Sequence, residues 1–214
     1  TEVDDEGMPL AASGFVRLCK LGGDWYLVEA VRVADPASLV VGALPGRFGY
    51  RTLEALIRAG KTVCDVSFMP EDAWRLDPLA RERGVTVLTD FGVAPGVSHV
   101  LVGYASARLE RIDSVEIYVG GLPRRPEGPF RYKAPFSPAD VLEEYVRPAR
   151  IVEGGERVER PALSGLERIA FPATGELEAF YTDGLRSLLE TIEAERMIEK
   201  TLRYPGHAAL MEAF

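Results

Sequence analysis

Cysteine and histidine are scarce: the 214 residues hold two of each. Cys19 and Cys64 stand in unrelated contexts and read as reduced buried thiols, not as a disulfide or a redox pair. With only His99 and His207, and no metal-ligand spacing around them, no metal site is expected. No apolar run approaches the roughly 20 residues a membrane helix needs. No basic stretch followed by an apolar one opens the sequence, so the expectation is no signal peptide and a cytoplasmic setting. Basic charge is short as well. The 25 Lys and Arg against 33 Asp and Glu leave a net charge of −8. That argues against nucleic acid or an anionic membrane as a partner. A Gly-x-Gly-x-x-Gly loop occurs nowhere, and neither does an internal repeat or a low-complexity segment.

What is present is enough apolar material for a real core, 47% of the chain. The most informative stretch runs from Val85 to Leu109. Thr86 to Leu88 read as a strand buried on both faces. Asp90, Gly92, Pro95 and Gly96 then break it and let backbone approach a ligand closely. Val97, Val100, Leu101, Tyr104 and Ala105 resume at helical spacing. The same grammar occurs twice upstream. A strand at 39–44 is followed by the break PGRFGY and a helix from Arg51 to Ala59, closed by Gly60. A strand at 62–68 precedes a helix opened by Pro70, Glu71 and Asp72 and ending near Arg83-Gly84. Such alternation predicts a parallel sheet with crossover helices, one half of a doubly wound dinucleotide-binding fold. Farther upstream, GFVRLCKL reads as a strand, GGD as a turn, and Trp25 to Ala34 as a helix.

After Leu109 the pattern changes. Strands are expected at 114–119, around Gly154-Gly155 as a hairpin, at 169–171, at 177–182 and at 197–204. Phe130 to Phe136 reads as extended. Helices are expected from Pro138, after Ser137, to Tyr145, over 185–192 and over 207–213. This half is α+β with mostly antiparallel strands. The expected division is residues 1–112 and 113–214.

The strings VVGALPGRFGYRTLEALIRAG, VCDVSFMPED, VTVLTDFGVAPGVSHVLVG, YVGGLP, EAFYTDGLRSLLETI and LRYPGH resemble the saccharopine dehydrogenase-like family, and within it the lysine dehydrogenase branch. The resemblance implies a partial Rossmann-type domain followed by an α+β domain for substrate binding and dimerisation. It implies an NAD(P)-dependent oxidoreductase acting on the C–N bond of an amino acid, of the lysine 6-dehydrogenase or saccharopine dehydrogenase type. Hydride passes to the nicotinamide and an imine forms; NAD is the favoured cofactor and a homodimer the expected assembly. It places Ala43, Leu44, Pro45, Val66, Ser67, Phe68, Gly92, Ala94, Pro95 and Gly96 on the cofactor. It places Gly121 at the cleft and Asp183, Arg186 and Ser187, with His207 behind them, on the substrate side; together with residue chemistry this gives Gly121, Tyr132, Arg186 and Ser187 as expected substrate contacts and Lys133, Asp183 and His207 as expected catalytic residues. Two departures stand out. The glycine-rich βαβ unit that opens family members is missing, which leaves a truncated, non-catalytic ligand-binding or dimerisation module as the alternative. Phe136 and Ala139 stand where relatives often carry Trp and Arg.

The chemistry of these residues leaves alternatives. Arg186 binds a carboxylate bidentately or is a surface residue at a helix start. Asp183 attracts a substrate ammonium or caps the helix after Gly184. Lys133 and His207 are candidate proton acceptors, and His207 also suits a structural helix start. For His99 a structural role is favoured over one at the cofactor. Asp65 and Asp90, at or beside predicted strand ends, order loops or touch a ribose. Arg124-Arg125 read as a solvated loop before a phosphate clamp, and Tyr132 and Phe136 wall a pocket or sit in a core.

Overall fold

The computed structural model describes residues 19–21, 24–26 and 39–214. Two compact units divide the chain between Phe91 and Gly92. The change of pattern in the sequence falls later, near residues 110–113. The helix between those points belongs with the second unit.

In the first unit, β1 (Cys19–Leu21) and β2 (Asp24–Tyr26) pair antiparallel. Trp25 and Tyr26, expected in a helix, lie in this strand, where aromatic residues are favoured and Cys19 and Lys20 pair with them. The rest of that expected helix lies outside the described residues. Strands β3 (Leu39–Gly42), β4 (Thr62–Asp65) and β5 (Val87–Leu88) form a parallel sheet in that order. Helix α1 (Gly46–Arg58) starts earlier than the expected Arg51 and takes in most of PGRFGY. Packing overrides the glycines' poor helix propensity here. Gly49 is needed where α1 crosses the chain after β4, because a Cβ there would lie 2.8 Å from Ser67 Cβ. Gly60, at φ 71°, follows the helix in the left-handed region as its position requires.

After β4 the helix expected from Pro70 is delayed. The Asp72 carboxylate accepts from the Trp74 N–H and opens a 3-10 turn over Ala73–Leu76. Pro78 then sits in the first turn of α2 (Asp77–Arg83). Val40, Leu53, Leu56, Ile57, Val63, Met69, Leu76 and Ala80 form this unit's core.

The second unit opens with a tight turn over Gly92–Gly96 and α3 (Val97–Ser106). Its six-stranded sheet runs β8-β7-β11-β10-β9, with β6 beside β11. These are β6 (Ser114–Val119), β7 (Ala149–Glu153), β8 (Glu156–Arg160), β9 (Glu167–Phe171), β10 (Gly175–Tyr181) and β11 (Arg196–Arg203). Only β6 runs parallel to its neighbour; the other pairings are antiparallel. Helices α4 (Pro138–Val146), α5 (Leu188–Thr191) and α6 (His207–Glu212) complete it. Phe130 to Phe136, expected to be extended, forms turns and loop, and Arg131 takes φ 52°. The helix expected over 185–192 shrinks to the four residues of α5, because Arg186 at φ 45° cannot lie inside a helix. Ile198, Ile151, Ala149, Leu185 and Met197 are the most deeply buried part of this core.

Candidate active site

At the carboxyl edge of the parallel sheet, Gly42 and Asp65 are register partners. A Cβ on Gly42 would lie 2.0 Å from Asp65 Oδ2, so only glycine fits beside that carboxyl group. Asp65 Oδ1 accepts from the Ser67 N–H at 2.8 Å. The Val66 N–H donates to Gly42 O and the Phe91 N–H to Asp65 O, both at 2.9 Å, which latches the strand ends together. Burial pushes the Asp65 carboxyl above the ordinary range. The Asp90 charge adds to that, and the hydrogen bonds with Ser67 oppose it. Asp90 is itself buried, at φ 55°. Around this edge Ala43 and Val66 are exposed, Leu44, Pro45 and Phe68 half-buried, and Ser67 buried. The carboxyl edge is where open α/β sheets bind ligands.

In the second unit, Gly92 and Gly96 meet in a bridge, with Ala94 and Pro95 half-buried between them. Gly96 takes φ 136°, and a Cβ there would lie 2.0 Å from Gly92 O. His99 accepts at Nδ1 from the Gly96 N–H (3.4 Å) and donates from Nε2 to Leu185 O (2.9 Å). It ties this turn to the loop carrying Asp183, Arg186 and Ser187.

That loop is built tightly. Thr182 Oγ1 meets Thr201 Oγ1 at 2.9 Å, and the Thr182 N–H donates to Glu199 O. Gly184 has no room for a side chain, since a Cβ would fall 1.5 Å from Glu199 Oε1. Asp183, 3% exposed, accepts three hydrogen bonds from one residue: the Arg150 N–H at 3.2 Å, Nε at 2.8 Å and Nη2 at 2.8 Å. Arg186 Nη1 lies 3.9 Å from Asp183 Oδ2. Ser187 is half-buried beside them.

His207 lies elsewhere in the unit, in a buried chain of donors. The Phe130 carbonyl can only accept, so His207 Nδ1 donates to it at 2.8 Å. Nε2 then accepts from the Tyr145 hydroxyl at 2.9 Å, and that oxygen accepts from Arg203 Nε at 3.0 Å. Arg203 Nη2 pairs with Glu144 Oε2 at 2.9 Å, and the guanidinium lies over the Tyr132 ring. Burial lowers the His207 pKa, with the Arg203 charge adding to it. Burial also pushes the Tyr132 phenol up to about 12. Lys133 is exposed in the loop that follows, as are Gly121, Arg124, Arg125 and Phe136 in theirs.

The structure thus gathers Asp183, Arg186 and Ser187 in one loop and puts His207 with Tyr132 in another cluster. Sequence reasoning missed Arg147, Arg150, Glu144, Tyr145, Glu199 and Arg203. One signal was available. Glu199, Lys200 and Arg203 sit in a strand that otherwise reads as apolar, and buried charge in a central strand demands partners.

These two units, a parallel sheet with open carboxyl-edge loops and a mainly antiparallel sheet holding a buried guanidinium–carboxylate loop, define a mixed α/β protein. Residues 92–214, the whole second unit, match the family described as Saccharopine dehydrogenase C-terminal domain, and the chain belongs to that family. Saccharopine dehydrogenase (NADP(+), L-glutamate-forming) of Pyricularia oryzae is 27% identical over 183 residues, covering 78% of this chain and 40% of that protein. The mitochondrial alpha-aminoadipic semialdehyde synthase of Bos taurus is 28% identical, covering 82% of this chain and 20% of that one. The chain therefore spans less than half the length of these relatives. The apo saccharopine dehydrogenase (L-Glu forming) of Saccharomyces cerevisiae shares the fold, with TM-score 0.65 and 23% identity over 86% of this chain and 44% of that one. No helix among the described residues is long and apolar enough to cross a membrane.

Proposed function

We propose that this chain serves an NAD(P)-dependent oxidoreductase acting on the C–N bond of an amino acid, of the saccharopine dehydrogenase or lysine 6-dehydrogenase type. The observation that carries the reading is the loop at 182–187, which holds the Arg186 guanidinium buried beside Asp183 within the family-matched unit. A buried, preoriented guanidinium suits a substrate carboxylate. The carboxyl-edge loops of the first unit support a nicotinamide ring. Gly42 keeps the sheet edge low, and Ala43, Leu44, Pro45, Val66, Ser67 and Phe68 surround it. The name of the Pyricularia relative carries NADP(+), so both nicotinamide forms belong in the test.

When bound, the nicotinamide supplies the hydride acceptor for the carbon that bears the amine. Arg186 would hold the substrate carboxylate, and water would take the amine proton as the imine forms. A homodimer formed through the second unit belongs to the same proposal. The second reading, a ligand-binding or dimerisation module without turnover, is favoured by the lack of a Gly-x-Gly-x-x-Gly loop in the 214 residues. Incubating the protein with NAD or NADP and a panel of lysine, saccharopine and related amino acids separates the two. The oxidoreductase reading predicts reduced cofactor with at least one panel member. Folded protein that stays silent across the panel contradicts it.

A further inference from the structure

The loop from Pro123 to Arg131, PRRPEGPFR, differs in charge from the rest of the chain. Its three arginines and one glutamate give it a net charge of +2 within a chain of net charge −8. Three prolines fix backbone angles along it, which leaves less conformational freedom to lose when something binds. Tyr204, just past β11, closes the loop. Its hydroxyl donates to Pro123 O at 3.0 Å, and the Arg131 guanidinium lies 5.0 Å from the centre of its ring. One side chain thus holds both the residue before Arg124 and the last arginine of the loop.

Arg131 is set outward by its neighbours. The Phe130 carbonyl accepts from His207 Nδ1 at 2.8 Å, and the Phe130 ring lies against those of His207 and Phe214. On the other side, the Tyr132 ring lies under the Arg203 guanidinium. With both neighbours anchored, Arg131 is exposed and takes φ 52°, a strained setting for a long side chain and one that concentrates at functional sites. Stacking on Tyr204 uses the face of its guanidinium and leaves the N–H edge for a ligand. Arg124 and Arg125 are exposed beside the Pro123 anchor. Among the described residues, no carboxylate forms an ion pair with any of the three.

We propose that Arg124, Arg125 and Arg131 form a binding site for a diphosphate group, free or carried on a small molecule. The chemistry selects phosphate over carboxylate: one guanidinium fork fills the two oxygens of a carboxylate, whereas a diphosphate offers oxygens for several forks. The net charge of −8 disfavours a long polyanion such as nucleic acid and leaves a compact anion, which stays within the field of the loop itself. The site belongs to the second unit alone and is independent of the reading of Arg186 as a carboxylate ligand.

Calorimetric titration of the full chain with pyrophosphate, at low salt, reads the site without any cofactor or substrate. Saturable binding is expected, at least about 10-fold tighter than that of malonate, a compact dicarboxylate. The double variant Arg124→Gln/Arg125→Gln and the single variant Arg131→Gln are each expected to weaken pyrophosphate at least about 10-fold, the scale of one charged hydrogen bond. Arg131→Lys is expected to weaken it as well, because the charge stays and the fork is lost. Tyr204→Phe keeps every charge and removes only the bond to Pro123, and a loss of about threefold is expected from opening the loop. Arg168→Gln, at an exposed pair with Glu176, is expected to change nothing. Adenosine diphosphate separates the two sources: tighter binding than pyrophosphate assigns the loop to a nucleotide, and equal or weaker binding assigns it to the free anion. The proposal is overturned by failure of pyrophosphate to bind or by equal or tighter binding of malonate. Unchanged affinity in the folded arginine variants or in Tyr204→Phe, or an equal loss in Arg168→Gln, overturns it too.

Discussion

His207 shows how one residue's surroundings decide its chemistry. Its Nδ1 is bound to the Phe130 carbonyl and its Nε2 to the Tyr145 hydroxyl, with the Arg203 charge behind them. A proton added at Nε2 would face a hydroxyl that already accepts from Arg203, so the folded state favours the neutral ring. Burial depresses the folded pKa below the ordinary 6.5, with the Arg203 charge adding to it and the Phe130 hydrogen bond, then the Glu178 charge, acting the other way. The sign follows directly. The unfolded chain takes up the proton first as pH falls, so this contribution to stability is complete above 6.5 and is lost as pH drops through 6.5 toward the folded value. Urea unfolding at neutral pH and at about pH 5.5 is expected to show that loss, and His207→Asn to flatten it. An equal pH dependence in the variant contradicts the assignment.

Among the elements, α6 depends on a partner in the sheet. Glu178 on β10 is 3% exposed and takes the Gly206 N–H at 2.9 Å and the Ala208 N–H at 2.5 Å. One carboxylate thereby satisfies two of the free donors at the start of a six-residue helix. Glu178→Ala strands the buried Ala208 N–H and removes the acceptor of the more exposed Gly206 N–H, and a loss of about 1–3 kcal/mol in unfolding free energy is expected, with Glu178→Gln losing less. The same element explains what sequence could and could not show. The periodic strands β6, β7, β8, β10 and β11 were legible, as was the hairpin at Gly154-Gly155, because alternation and turn chemistry are local. The start of α1 was not. Nothing in PGRFGY announces that Gly49 must pass close to Ser67, and only that packing keeps two glycines in a helix. The 3-10 turn before α2 escaped for a similar reason: Asp72 caps a turn one step before the helix that Pro78 opens. In the site, TDGLR announced Asp183 and Arg186 as one cluster. Arg150, more than 30 positions away in sequence, came to Asp183 only through the pairing of the sheet.

At the scale of the whole molecule, each unit carries its own core, Val40 to Ala80 in the first and Val115 to Ile198 at the centre of the second. The family match coincides with the second unit, and the parallel sheet of the first supplies the carboxyl edge where a nicotinamide is proposed to sit. The account therefore stands on dinucleotide binding by a chain that holds no glycine-rich phosphate loop within its 214 residues. Titration of this protein with NADH and with NADPH, followed by cofactor fluorescence, tests that most directly. Saturable binding of either form is the predicted result. Folded protein that shows no binding at millimolar cofactor contradicts the oxidoreductase reading of this chain.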